Sequence, residues 1–275
     1  MVEEPRNEAS RNQLLTARSR RVKDARRLLR RRDRTEAGLF LADGPKAVEG
    51  ALGVEGCVRE VFATPAAARE YADLLAGHPV VPVDDRAIEA LSDSVSPAGL
   101  VAVCALLDRP LGEWLGAATG TLVICADVRD PGNAGTIIRT ADAVGAAGVV
   151  LAGDSVDAHN PKTVRASVGS LFHLSVAVER DPTAVVAAVR AAGFVVLAAD
   201  GAGEVDLFTA GELLRGRVAW LFGNEAWGLP EELAALADHR VSIPIPGRAE
   251  SLNLSTAAAV CLYAGLAQAK GATPQ

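Results

Sequence analysis

The sequence predicts an α/β protein whose larger, C-terminal part is a mostly parallel sheet covered by helices on both faces. Near-continuous apolar strands alternate there with amphipathic helices, as in TLVICAD (121–127), GVVLAG (148–153) and RVAWLFG (217–223). A shorter alternation of strands and helices precedes it and begins with GLFLAD (38–43). With 275 residues, 49% of them hydrophobic, the chain is long enough to bury two cores.

Four segments are expected along the chain. Residues 1–34 are predicted to form a basic helical segment, residues 35–107 a small α/β domain, and residues 121–275 the larger α/β domain. Between the two domains, DRPLGEWLGAATG (108–120) is rich in glycine and proline, which favours a linker.

The net charge of −6 conceals a strong asymmetry, because the first 34 residues hold twelve Arg/Lys against five Asp/Glu. Within them, RSRRVKDARRLLRRRDR is interpreted as one arginine-rich helix with a narrow apolar stripe of Val22, Ala25, Leu28 and Leu29. Such a run is either a solvated helix face or a contact to RNA phosphates, and the composition leaves both open.

Several classes of protein are disfavoured by what the sequence lacks. It has no run of about eighteen apolar residues and no signal-like start, which predicts a cytoplasmic protein without a membrane partner. The four cysteines are far apart among apolar neighbours and have no histidine cluster nearby, so we expect reduced core thiols and no metal site. GxGxxG, GxxxxGK[ST], HExxH and GxSxG motifs are missing, which disfavours ordinary NAD enzymes, kinases, metalloproteases and α/β-hydrolases.

Polar and glycine-rich residues follow several strands of the larger domain, where open parallel sheets bind their ligands. In DVRDPGNAGTIIRTADAVGA (127–146), Asn133 is expected to cap a helix whose next turn carries Arg139. Taken alone, Arg139 has an ordinary explanation as a surface cation.

Two further segments follow later strands. In LFGNEAWGLP, Gly223 has no side chain to obstruct a ligand, although Glu225 alone would pass for a loop carboxylate. In VSIPIPGRAESLNLSTAAAVCLY, the prolines on either side of Ile245 indicate a strand end at a sheet edge or against a ligand. Ser251 or Asn253 is expected to start the final helix, and capping alone would explain both.

Together these segments read N-x-G-x-x-x-R, G-N-E-x-x-G-L and I-P-I-P-G-x-x-x-S-L-N-x-S. In order and spacing they resemble the three signature motifs of the SpoU/TrmH family of the SPOUT superfamily, over roughly residues 121–269. GLFLADGPKAVEGAL (38–52) is similar to the ribosomal-protein-like, substrate-binding N-terminal domain of rRNA-modifying members. The resemblance implies an S-adenosylmethionine-dependent ribose 2′-O-methyltransferase of structured RNA, with 23S rRNA favoured. It also implies a deep trefoil knot in the last part of the chain and a homodimer with active sites near the subunit interface.

The same resemblance assigns roles to individual residues. The reacting groups would be surrounded by Asn133, Arg139, Glu225, Ser251 and Asn253, and the methyl donor would be contacted by Ala199, Gly223, Asn224, Ile243, Ile245 and Leu252. Lys162 and Arg165 would contact RNA phosphates. Trp227 is a bulky residue at a position that varies in the family, and it would shape target access by stacking on a base. The scheme requires no metal.

Two alternatives come from other functional classes. One is an RNA-binding or ribosome-assembly protein that keeps the fold without catalysis, which the presence of Arg139, Glu225 and Asn253 disfavours. The other is a base methyltransferase acting on a guanine nitrogen, which the first and third motifs disfavour. The sequence does not identify the target nucleotide or the proton acceptor.

Overall fold

The computed structural model describes residues 14–271. The chain divides into two compact units, the first ending at Leu106 and the second beginning at Leu107. The first thirteen residues of the predicted basic segment lie outside the described part. Among the residues that are described, no helix combines the length and the apolar character needed to cross a membrane.

From residue 14 onward, the first unit is a four-stranded sheet with five α-helices. The strands run in the order β1-β4-β2-β3; β4 is antiparallel to β1 and β2, and β3 is parallel to β2. Its elements are α1 (Arg20–Arg27), α2 (Arg31–Ala37), β1 (Leu39–Asp43), α3 (Pro45–Leu52), β2 (Val58–Ala63), α4 (Pro65–Glu70), β3 (Val80–Pro82), α5 (Asp85–Leu91) and β4 (Leu100–Ala105).

The basic segment forms two helices rather than the single helix predicted from its sequence. The buried guanidinium of Arg34 donates to the carbonyl oxygens of Leu28 and Leu29 at 2.9 and 3.0 Å, which satisfies backbone acceptors where α1 ends. The predicted apolar stripe is confirmed, because Val22, Ala25 and Leu28 are buried in the core of the first unit. These helices are therefore part of that unit and not a separate segment.

The second unit is a seven-stranded sheet with the order β7-β6-β5-β10-β8-β11-β9, and every pairing in it is parallel. This confirms the predicted sheet type. The elements are α6 (Leu111–Trp114), β5 (Thr121–Ala126), α7 (Pro131–Ala143), β6 (Gly148–Ala152), α8 (Pro161–Ser167), β7 (Ser175–Glu179), α9 (Pro182–Ala191), β8 (Val195–Ala199), β9 (Val205–Asp206), β10 (Val218–Phe222), α10 (Glu231–Ala234), β11 (His239–Ser242) and α11 (Leu254–Gly271).

Two expectations about local structure differ from what is observed. Residues 108–120, expected as a linker, contain α6 and a 3₁₀ turn, and they bury Leu111, Trp114 and Leu115 in the core of the second unit. Of the two interpretations of the prolines around Ile245, the sheet edge is wrong, because β11 ends at Ser242 and lies between β8 and β9. The other, a strand end against a ligand, stays a prediction. Proline has no amide hydrogen to donate, and here both prolines lie beyond the ladder, in the segment that follows it. All four cysteines are free and buried, as predicted.

Candidate active site

A cavity of about 270 Å³ lies where β8, β10 and β11 end. All six residues predicted to contact a methyl donor line it, and so do two of the predicted reacting-site residues; they are Ala199, Gly223, Asn224, Ile243, Ile245, Leu252, Glu225 and Ser251. Asp200, Gly201 and Glu250 also line the cavity but were not predicted. Their one sequence signal is position, since Asp200 and Gly201 lie just past a strand and Glu250 lies at a variable position of the third motif.

The loop that follows β10 is closed by its own backbone. The amide of Asn224 donates to the carbonyl of Gly228, and the amide of Gly228 donates back to the carbonyl of Asn224, both at 2.9 Å. A Cβ atom at Gly223 would lie 2.4 Å from the carbonyl carbon and oxygen of Gly228. Glycine is therefore required here by the close approach of the loop backbone, in addition to any space that it leaves for a ligand.

The carboxylate of Glu225 ties this loop to the start of α7. Its Oε1 accepts hydrogen bonds from the amide of Asp130 at 2.9 Å and from Asn133 Nδ2 at 3.2 Å, and its Oε2 accepts from the amide of Arg129 at 3.1 Å. Partial burial opposes ionisation, but these donors outweigh it and hold the pKa of Glu225 below its ordinary value. Both oxygens act as acceptors, which favours the ionised form.

Asn133 links all three motifs through one side-chain amide. Its Nδ2 donates to Glu225, and its Oδ1 accepts from Asn253 Nδ2 at 3.1 Å. Asn133 does not cap α7, which corrects the expectation from the sequence. Asp130 is the N-cap and accepts from the amide of Asn133 at 2.8 Å, with Pro131 in the first helical position. The helix thus begins three residues earlier, and Asn133 is free to use its amide elsewhere.

Asn253 starts α11, as one of the two predicted candidates. Its Oδ1 accepts from the amides of Ser255 and Thr256 at 2.9 and 3.3 Å and from the Ser255 hydroxyl at 2.7 Å. Because Oδ1 is occupied by the helix terminus, the amide nitrogen of Asn253 must face Asn133. The donor and the acceptor are therefore defined in both hydrogen bonds of the path from Asn253 through Asn133 to Glu225.

The helix α8 packs closely against α7. A Cβ at Gly135, the glycine of the first motif, would lie 2.5 Å from the carbonyl oxygen of Thr163. This close packing brings the exposed Lys162 to the start of α7, where its Nζ lies 3.4 Å from Asp130 Oδ2. Arg165 is half-buried on the same helix.

Arg139 is not brought into the cavity of its own chain. It is exposed on α7, and its side chain has no hydrogen bond or ion pair within residues 14–271. The structure thus joins Asn133, Glu225 and Asn253 next to the cavity but leaves Arg139 facing solvent.

Changing Glu225 to glutamine tests whether the ionised carboxylate holds the loop. Glutamine keeps one acceptor oxygen but turns an NH₂ group toward a backbone donor, so we expect Tm to fall by a few degrees at neutral pH. A depressed pKa contributes stability above the ordinary value of 4.5, and that stability is lost as pH falls through the depressed pKa. The Tm difference should stay constant from about pH 8 to about pH 5 and shrink below that range. A difference that does not depend on pH would contradict the role of the charge.

Comparison with known proteins assigns both units to described families. Residues 120–263 match the SpoU rRNA Methylase family, and residues 19–102 match the MRM3-like substrate binding domain. The second match includes α1, which agrees with the packing of that helix into the first unit.

The chain is similar over almost its whole length to two curated relatives. It is 35% identical to the 23S rRNA (guanosine(2553)-2′-O)-methyltransferase RlmP of Bacillus subtilis, covering 91% of this chain and 98% of the relative. It is also 35% identical to the 23S rRNA (uridine(2479)-2′-O)-methyltransferase of Streptomyces viridochromogenes, covering 92% of each.

Solved structures show the same likeness. The AdoMet-bound rRNA methyltransferase from Sinorhizobium meliloti has a TM-score of 0.81 and 35% identity, covering 92% of this chain and 97% of that one. The SpoU methyltransferase AviRb from Streptomyces viridochromogenes, in complex with the cofactor AdoMet, has a TM-score of 0.81 and 32% identity, covering 94% and 100%. The chain therefore belongs to the SpoU rRNA methylase family.

Proposed function

We propose that this protein is an S-adenosylmethionine-dependent 2′-O-methyltransferase of RNA and that its substrate is 23S rRNA. The observation that carries the proposal is that the second and third motifs line one cavity. The first motif is joined to both of them through Asn133, which is hydrogen-bonded to Glu225 and to Asn253. The names of the relatives, which modify guanosine or uridine riboses of 23S rRNA, support the same reaction and substrate.

The cavity suits the methyl donor. Ile243, Ile245 and Leu252 give it apolar walls, and the carboxylates of Glu225 and Glu250 offer negative charge to a cationic ligand. Its volume of about 270 Å³ is near the lower end of small-molecule sites. When bound, S-adenosylmethionine supplies a methyl group carried on a positively charged sulfur.

The remaining residues would act on the RNA. Ser251 and the second amide hydrogens of Asn133 and Asn253 would hydrogen-bond to the ribose. Glu225 already accepts from three donors and would position Asn133 rather than take up a proton. Arg139 would pair with the adjacent phosphate and stabilise the charge that develops on the 2′-oxygen. A guanidinium stays protonated in proteins, so the proton leaves to phosphate or water.

Methyl transfer from radiolabelled donor to a 23S rRNA transcript tests the reaction directly. A 2′-O-methyl group removes the hydroxyl that alkali needs to cleave the backbone, so the labelled nucleotide should be recovered in an alkali-resistant dinucleotide. Label in an alkali-released mononucleotide would instead indicate base methylation. RNA binding without transfer would favour the non-catalytic alternative. Mapping 2′-O-methylation in total RNA from cells with and without the gene would then locate the site.

The assembly that we propose is a homodimer. The exposed position of Arg139, away from the cavity of its own chain, supports a site completed by a second copy. We also propose that the segment between β11 and α11, which lines the cavity together with residues from β8 and β10, belongs to a trefoil knot. Sedimentation equilibrium should give twice the chain mass, and a monomer that retains activity would contradict the dimer. A cytoplasmic location follows from a ribosomal RNA substrate.

We propose that RNA phosphates contact the basic segment that contains α1 and α2, and that they also contact Lys162 and Arg165. Several cations of this segment are paired, such as Arg30 with Asp33 at 2.6 Å. Four arginines of this segment are exposed and have no ion pair among the residues that the structure describes; they are Arg18, Arg26, Arg31 and Arg32. These four are the strongest candidates for phosphate contact.

Substituting all four of these arginines by glutamine should weaken RNA binding and flatten its salt dependence. Each lost phosphate contact lowers the slope of log K against log salt by about 0.7 to 0.9, so the full effect is about three units. Substitution is preferable to deletion, because α1 contributes Val22 and Ala25 to the core. The donor Kd from calorimetry serves as the control and should not change. An unchanged slope would show that these arginines lie on a solvated helix face and contact no phosphates.

A further inference from the structure

Trp227 is an exposed aromatic residue on the loop that borders the cavity. The other two tryptophans, Trp114 and Trp220, are buried, whereas Trp227 is 55% exposed. Its loop neighbours from Asn224 to Gly228 all line the cavity, but Trp227 itself does not. The indole is therefore presented outside the donor cavity, at its border.

The backbone that carries this indole is held firmly. Besides the paired amides of Asn224 and Gly228, the amide of Ala226 donates to Asn224 Oδ1 at 2.8 Å, and Asn224 Nδ2 donates to the carbonyl of Asp127 at 2.7 Å. The exposed part of a large apolar side chain contributes no hydrophobic free energy to folding, because it stays in contact with water. An exposed aromatic side chain on a loop whose backbone is already held in place is typical of a residue that stacks on a ligand.

Arg129 lies over the indole. Its guanidinium carbon is 5.2 Å from the ring centroid, and one of its nitrogens is 3.6 Å from Asp154 Oδ2. The backbone amide of Arg129 also donates to Glu225. The guanidinium thus lies against the ring, and the backbone of Arg129 is tied to the carboxylate that connects the motifs.

We propose that Trp227 and Arg129 form a stacking platform for an unpaired nucleobase of the substrate RNA, beside the ribose that is methylated. This inference rests on the proposed function and adds a contact that sets which RNA structures are accepted. An indole face stacks on any base, and a neighbouring guanidinium pairs with the phosphate that accompanies it. A protein partner would offer no polyanionic backbone to the cation.

Steady-state kinetics on a 23S rRNA transcript separates this role from a structural one. Trp227→Ala should raise KM for the RNA about tenfold or more, with kcat at saturating RNA and the donor Kd within about threefold of wild type. Trp227→Phe keeps a ring and should recover most of the loss. Phe208→Ala removes another exposed aromatic side chain and serves as the matched control.

Fluorescence gives a second readout that does not depend on turnover. Because Trp227 is the exposed tryptophan, acrylamide should quench it selectively, and the same transcript should protect it in the wild type. The protection should disappear in Trp227→Phe.

The outcomes distinguish the platform from the proposed reaction. If the wild type methylates RNA and Trp227→Ala retains its KM, the platform is overturned and the reaction stands. If the wild type transfers no methyl group, the reaction fails, and protection of Trp227 by RNA still decides whether a base stacks there. If Trp227→Ala changes the sedimentation mass, the indole belongs to an interface between copies of the chain, which overturns the platform.

Discussion

Replacing Arg139 with alanine is expected to lower turnover by about 100-fold or more at saturating donor and RNA, the scale of losing one oriented donor that stabilises developing charge. The Arg139 side chain is exposed and makes no hydrogen bond within the described residues, so its removal should leave Tm and the donor Kd nearly unchanged. Surface substitutions usually alter stability by no more than about 0.5 kcal/mol. Turnover equal to the wild type would remove Arg139 from the site.

The lysine variant separates charge from geometry. Lysine keeps the positive charge of Arg139 but lacks the planar fork that pairs with a phosphate through two parallel hydrogen bonds. We expect Arg139→Lys to stay well below wild-type turnover. Recovery of most of the activity would mean that simple charge is sufficient and that bidentate pairing is not needed.

A mixture of two impaired variants, assayed at a donor concentration well below the wild-type Kd, tests whether Arg139 serves the cavity of the other copy. Arg139→Ala keeps an intact cavity, and Gly223→Ala keeps an intact Arg139. If each site combines the two chains, random mixing after subunit exchange should restore about a quarter of the sites. No recovery from dimers that have exchanged would indicate that Arg139 acts within its own chain.

Gly223→Ala is expected to have the second large effect. The added Cβ would lie 2.4 Å from the backbone of Gly228 and 2.5 Å from the amide nitrogen of Leu229, and neither is a side-chain end that can swing aside. The loop must shift, which should cost about 1 to 3 kcal/mol of unfolding free energy. Because Asn224 and Glu225 line the cavity, we also expect the donor Kd to rise about tenfold or more.

Gly201→Ala provides the matched control for stability. Gly201 lines the same cavity, but a Cβ there would meet no atom within 4 Å. Its free energy of unfolding, from denaturant titration, should therefore stay within about 0.5 kcal/mol of wild type, whereas that of Gly223→Ala should fall. Equal stability of the two variants would contradict the close-approach explanation for Gly223.

Much of the fold was predictable because its strands are buried on both faces. Thr121–Ala126, Gly148–Ala152 and Val218–Phe222 each end within a residue or two of the predicted bounds, since apolar runs of this kind have few alternatives. The segment 108–120 was misread because glycine and proline there surround one short helix instead of a linker. The short strand Val205–Asp206 has too few residues to produce a periodic signal.

The sequence predicted which residues lie around the candidate site, but not how they are hydrogen-bonded to one another. Motif spacing identified the side chains around the cavity, yet it could not show that Asp130 rather than Asn133 caps α7. Asp130 and Asn133 are both good N-cap residues. Which of them caps α7 depends on the position of Glu225, which is distant in sequence. The stacking of Arg129 on Trp227 is invisible to sequence for the same reason.

The two hydrogen bonds of the Asn133 side chain span 92 and 120 residues of sequence. Hydrogen bonds between residues this far apart in sequence form only when most of the second unit has folded. Each must overcome the entropy lost when a long intervening loop is closed. A partly folded chain would therefore have strands and helices but no place for the donor. Donor binding would stabilise only the complete native state, and its concentration would shift the folding equilibrium without rescuing any intermediate.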